Sequence, residues 1–195
     1  MTFEIETENL QQSEKEIEEI QPEFSDVKPD LEAIKGAAEK HSRENLILIG
    51  NGGSVTSFRA FLYAFMPEID ADVRIVTTME PDYLHRLSQE LDPENTVVMP
   101  ISKSGSTVGV LESLLFFMER DYPVFAVTSD NNGALRKIVQ KRDLPSIEHP
   151  EVGGRFSGAT ETALTPAAFV GLDIDGIRAG VEKMYEKLEE EELFF

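Results

Sequence analysis

The sequence predicts an α/β fold, a three-layer αβα sandwich around a mostly parallel sheet of about five strands. Three observations carry this. Short, almost wholly apolar runs rich in β-branched residues recur at 46–50 (LILIG), 73–77 (VRIVT), 96–101 (TVVMPI) and 124–128 (VFAVT). Segments of helical periodicity separate or follow them, over 54–66, 81–90, 107–120 and 133–142. The runs have no polar face, so each strand is covered on both sides, as in a parallel sheet flanked by two layers of helices. With 195 residues and 41% hydrophobic content, the chain can bury one core and carry extensions.

Taken in order, residues 1–28 are acidic and polar, broken by Pro22, and read as an N-terminal arm or helix. The domain proper is expected over 29–180, with 181–195 an acidic C-terminal helix or tail. From Asp30, DLEAIKGAAEKHSRE joins an N-cap residue to a helical pattern. Helix 54–66 carries Phe58, Phe61, Leu62, Phe65 and Met66 around more than one stripe, mostly core with some surface left for a partner. A short SIEH at 146–149 reads as the fifth strand. Ligands of such folds bind beyond the carboxyl ends of the strands, where the strand order switches. The polar motifs of this chain fall at those ends.

Composition narrows the chemistry. The absence of cysteine excludes disulfides, a thiol nucleophile and a thiolate metal site. His41, His85 and His149 show no metal-ligand spacing, so neither a metal nor a cofactor is expected. No apolar run reaches the length of a membrane span and no secretory leader opens the chain, which points to the cytoplasm and away from a membrane. A formal charge of −19 opposes nucleic acid. It does not oppose a small anion held locally, because bulk charge is screened within about 8 Å at physiological ionic strength.

Three segments carry chemistry. GNGGS, Gly50 to Ser54, follows the first strand and opens a helix, where glycines admit an anion close to free N–H groups. A dinucleotide site would need glycine at Val55 and favour an acid where Thr77 and Thr78 stand. No Gly-Lys-Ser/Thr follows, so a nucleotide P-loop fails too. SKSGST, Ser102 to Thr107, sets Ser102, Ser104, Ser106 and Thr107 around one lysine and one glycine at the next helix start. One hydroxyl suffices for a helix cap; four suit a phosphate monoester. In the third segment, beginning EVGGRFSGATET at Glu151, Arg155 either steadies an oxyanion or makes a surface ion pair.

Together, Gly-Gly-Ser after strand one, Ser-Lys-Ser-x-Ser-Thr after strand three, and Val-Gly-Gly-Arg-Phe-Ser with a later GLDI resemble the glucose-6-phosphate isomerase family. The first two motifs are shared with sugar isomerase (SIS) domains at large, while the third is particular to this family. The resemblance covers about 45–180 and implies a SIS domain, flavodoxin-like, the first of the two in such enzymes. It implies that Gly53, Ser54, Ser102, Lys103, Ser104 and Thr107 bind the phosphate of the sugar, and that Arg155 is the arginine near the reacting carbons. It implies glucose 6-phosphate or fructose 6-phosphate as ligand, and aldose–ketose isomerisation of glycolysis and gluconeogenesis as the activity.

The family's catalytic glutamate, histidine and lysine lie in segments (Glu-Ser-Asn-Gly and Asn-Gly-Gln-His among them) with no counterpart here. Catalysis is therefore expected to need a second SIS domain or subunit, or a homo-oligomer that shares sites. The alternative is a non-catalytic SIS module that senses a phosphosugar. The chain also departs from the family at Gly158–Thr162, where Glu161 is either a local base or, more simply, a salt-bridged or exposed helix carboxylate.

Overall fold

The computed structural model describes residues 27–190. The arm expected over 1–28 falls outside them but for its last two residues, as do 191–195. Asp30 caps helix α1 (Leu31–His41), its carboxylate accepting from the Ala33 N–H at 2.9 Å. Glu32 in the first turn and Lys40 in the last complement the helix dipole.

Strand β1 (Asn45–Ile49) lies between β2 (Asp72–Val76) and β3 (Thr96–Pro100), parallel to both. Leu48 stands opposite Ile75 on one side and Met99 on the other. Strands β4 (Ala126–Val127) and β5 (Ser146–Ile147) form a second parallel pair. Parallel bridges Val98–Val124 and Ile101–Val127 join β3 to the β4 segment, so the order runs β2-β1-β3-β4-β5.

The five expected strands are thus present, but regular pairing divides them into sheets of three and two. Prolines explain part of the division. Pro123 and Pro145, which precede these runs, have no N–H to give to a ladder. Each contributes only its carbonyl, to the Val98 N–H at 2.8 Å and the Ala126 N–H at 3.0 Å.

Side chains alternate across the sheet with the period of two that a strand imposes. Leu46, Leu48, Val97 and Met99 face one core; Ile47, Ile49 and Val98 face the other. Helices α1, α2 (Gly53–Ala64) and α6 (Glu161–Phe169) cover the first face through Ile34, Val55, Phe58, Leu164 and Phe169. Helices α3 (Pro81–Glu90), α4 (Val108–Met118) and α5 (Ala134–Arg142) cover the second through Leu84, Leu87, Leu114, Phe117 and Leu135. The result is the expected αβα arrangement.

Helix α2 ends at Ala64, short of the expected residue 66: Phe65 caps it and Met66 opens a 3-10 turn. Phe58 is fully buried and Phe61, Leu62 and Phe65 pack partly against the first core, whereas Tyr63 and Met66 are exposed. Helix α7 (Ile174–Glu190) passes through residue 180 without a break. Lys35 on α1 reaches Asp175 at 2.9 Å, tying α7 back to the domain. Among the described residues, no helix is long and apolar enough to cross a membrane.

Candidate functional site

The chain runs from β1 to β2 on one side and later to β3 on the other, so the strand order switches between β1 and β3. A cavity of about 360 Å³ opens just beyond the carboxyl ends of these two strands. Ser54 from the start of α2 and Ser102, Lys103, Ser104 and Thr107 from the loop before α4 line it. Five of the six residues expected to bind a phosphate therefore share one cavity.

The loop is ordered by its own hydroxyls. Ser102 is buried; its side chain accepts from the Gly105 N–H at 3.2 Å and lies 3.1 Å from Thr107 Oγ1. Its carbonyl accepts from Thr128 Oγ1 at 2.8 Å, pinning the loop to the end of β4. Thr107 occupies the N-cap of α4, yet its side chain makes no capping hydrogen bond. Thr107 lines the cavity at the start of α4, whose first N–H groups have no partner within the helix. Ser106 instead donates to Ser104 Oγ at 3.1 Å, and is the one hydroxyl of the four that does not line the cavity.

Gly53 has a different place. A Cβ built there would lie 2.2 Å from the Gly154 carbonyl carbon and 2.3 Å from the Arg155 nitrogen. Gly154 in turn packs against Ser54 N and Gly53. The glycines of the first and third motifs thus let two backbones touch: a single 3-10 turn (Gly154–Phe156) sits on the start of α2. Gly53 is packing beneath the site and does not line the cavity.

Arg155 rides on that turn, exposed, with its guanidinium 5.8 Å from the centre of the Phe156 ring. Among the described residues it makes no ion pair, and it lies outside the cavity lining. Glu161 opens α6, where its Oε1 accepts from the Asp30 N–H at 3.4 Å. It joins α6 to α1 as a helix-start carboxylate and does not line the cavity.

Residues that sequence reasoning missed complete the lining: Asn51, Ile101, Asn131 and Glu151. Asn131 is a brace, its amide donating to the Lys103 carbonyl at 2.8 Å and accepting from the Gly133 N–H at 2.8 Å. The Asn51 amide, turned to suit its neighbours, donates to the Thr77 and Gly50 carbonyls. Glu151 brings its Oε2 to 3.3 Å from Lys103 Nζ. The Ser129 hydroxyl and then the Lys103 ammonium hold its carboxyl below the usual carboxylate range.

His149, two residues earlier, is fully buried and donates from Nδ1 to the Pro150 carbonyl at 2.7 Å. Burial pushes it below the usual histidine range, so it is neutral, and its buried Nε2 has no partner among the described residues. Among the described residues, no three histidines or acids gather as a metal site.

This arrangement suits an anion: one ammonium, several hydroxyls and helix-start N–H groups at the switch point of an α/β sheet. No protein-family model matches the chain. It is 35% identical over 153 residues to a glucose-6-phosphate isomerase of Thermus thermophilus, covering 73% of this chain and 37% of that protein. The chain therefore spans little more than a third of the length of this relative. Among solved structures, a hypothetical protein from Thermus thermophilus aligns with a TM-score of 0.79 at 28% identity, over 92% of this chain and 48% of that one. A glucose-6-phosphate isomerase from Chlamydia trachomatis aligns at 0.60 and 25% identity, over 71% of this chain and 28% of that one. With its SIS-type fold, the chain is homologous to the glucose-6-phosphate isomerases over part of their length.

Proposed function

We propose that this chain binds glucose 6-phosphate and fructose 6-phosphate as the phosphate-holding part of a glucose-6-phosphate isomerase, with chemistry completed by a second SIS domain. The observation that carries this is the cavity at the β1/β3 switch, where Ser54, Ser102, Lys103, Ser104 and Thr107 converge. Hydrogen bonds from charged or oriented donors to a phosphate contribute about 1.5–3 kcal/mol each, enough for several to capture a dianionic ester. Gly53 supports the site from below by admitting the Arg155 turn.

Arg155 is the candidate for the reacting end of the sugar. It is the exposed cation nearest in sequence to the Glu151 side of the cavity, and carries no ion pair among the described residues. In the isomerisation a proton moves between C1 and C2 through an enediolate, and a guanidinium near the developing oxyanion favours it. The base that moves the proton would come from the second domain or subunit.

Two measurements test the reading. Lys103→Ala combined with Ser104→Ala should weaken fructose 6-phosphate binding by about tenfold or more in calorimetry. An unchanged affinity would place the pocket elsewhere. Turnover should be absent with the chain alone and appear when a protein supplying the second SIS domain is added; binding without turnover in both cases would remove the isomerase half of the proposal.

A further inference from the structure

Within the cavity lining, Lys103 is the one cation and Glu151 the one anion, so their formal charges cancel. They reach it from separate loops, one after β3 and one after β5, and meet at 3.3 Å. Resting on the phosphate-binding reading above, we propose that Glu151 is a competing carboxylate built into this cavity: it occupies Lys103, and an incoming phosphate monoester must take Lys103 from it.

The backbone that delivers Glu151 is fixed. The Ser129 hydroxyl donates to the His149 carbonyl at 2.9 Å, and His149 Nδ1 donates to the Pro150 carbonyl at 2.7 Å, both groups of the segment that ends in Glu151. The Glu151 side chain, by contrast, is 74% exposed, and only the Ser129 hydroxyl and the Lys103 ammonium engage its carboxyl. A carboxylate anchored at its root and exposed at its tip can yield Lys103 without any movement of the fold. Lys103 is likewise anchored at its root, where its carbonyl accepts from Asn131.

The exchange favours one class of ligand. A carboxylate gives Lys103 a single negative charge. A phosphate monoester brings nearly two, together with oxygens that the hydroxyls of Ser104 and Thr107 can bond at the same time. Singly charged anions replace Glu151 with no gain. The pair therefore acts as a threshold, passing phosphate esters and rejecting carboxylates and monoanions that any free ammonium would attract.

Calorimetry on the full chain, with inorganic phosphate and with fructose 6-phosphate, tests this. Glu151→Gln keeps the shape and removes the charge; it should tighten phosphate binding by about two- to fivefold, the scale of one largely exposed charge pair. Lys103→Met should weaken binding, and in that background Glu151→Gln should change affinity by less than about twofold. Equal or weaker binding in Glu151→Gln overturns the proposal. So does an equal gain in both backgrounds, which would mean plain repulsion of the ligand without competition for Lys103. If wild type binds and Lys103→Met weakens it while Glu151→Gln does nothing, the competing role alone falls. If no variant binds either ligand, the phosphate site falls and the competing role with it. Matching unfolding midpoints among the variants exclude misfolding as the cause.

Discussion

Gly53→Ala is the substitution on which the structure speaks most plainly. The added methyl would sit 2.2 Å from the Gly154 carbonyl carbon, 2.3 Å from the Arg155 nitrogen and 2.5 Å from the Gly154 oxygen. All three are backbone atoms, so no side-chain rotation relieves the clash. Carbon contacts settle at about 3.5–4.0 Å, so the 154–156 turn must retreat by roughly 1.3 Å or α2 must start later. Overpacking of this kind costs about 1–3 kcal/mol, which for a chain of this size lowers Tm by about 2–4 °C per kcal/mol.

A matched control has the opposite sign. Gly36 lies exposed inside α1 with nothing within 4 Å of a built Cβ, so Gly36→Ala should stabilise by about 0.5–1 kcal/mol through helix propensity. Urea unfolding followed by circular dichroism measures both. A Gly53→Ala protein as stable as wild type would refute the close approach of the two motifs, and with it the placement of Arg155.

Arg155→Ala should lower turnover far more than affinity for fructose 6-phosphate, because Arg155 stands off the cavity lining; isothermal titration beside a coupled assay, with the second domain supplied, separates the two. Stability should fall as pH drops through about 6.5, the ordinary histidine value. Burial holds His149, and less deeply His41, below 6.5, so the unfolded chain takes up protons there that the folded chain refuses. His149→Leu should flatten that slope in unfolding experiments from pH 7.5 to 5, and an unaltered slope would show that His149 does not set it.

The fold was legible because its signals are local. Runs such as LILIG and TVVMP have no polar face, and the structure buries β3 on both sides along its whole length. Helices 81–90 and 133–142 began within a residue of the expected start, marked by Pro81 at the first turn of one and Gly133 before the other. The run VFAVT overstated its strand, since Pro123 denies it a ladder hydrogen bond and only Ala126–Val127 pairs regularly.

The site was half legible for the same reason. Ser102 to Thr107 announce themselves as a cluster, whereas Asn131 stands in a loop otherwise unremarked and Glu151 only opens a segment read for its glycines and Arg155. Their roles arise only when the loops after β4 and β5 come to meet the loop after β3. The contact of Gly53 with Gly154 joins residues about a hundred positions apart, and no local pattern encodes it. Asn131 and Gly133 did leave a trace, as an Asn-rich, glycine-containing turn at the carboxyl end of a strand run.

The division of the strands into three and two has a mechanical consequence. Between them runs a seam held by two isolated bridges, with the cavity at its upper end. Ser54, Ser102 and Lys103 stand on the three-stranded side, Asn131 and Glu151 on the two-stranded side. A ligand gripping both would act as a rivet across that seam, and part of its binding energy would go into making five strands behave as one.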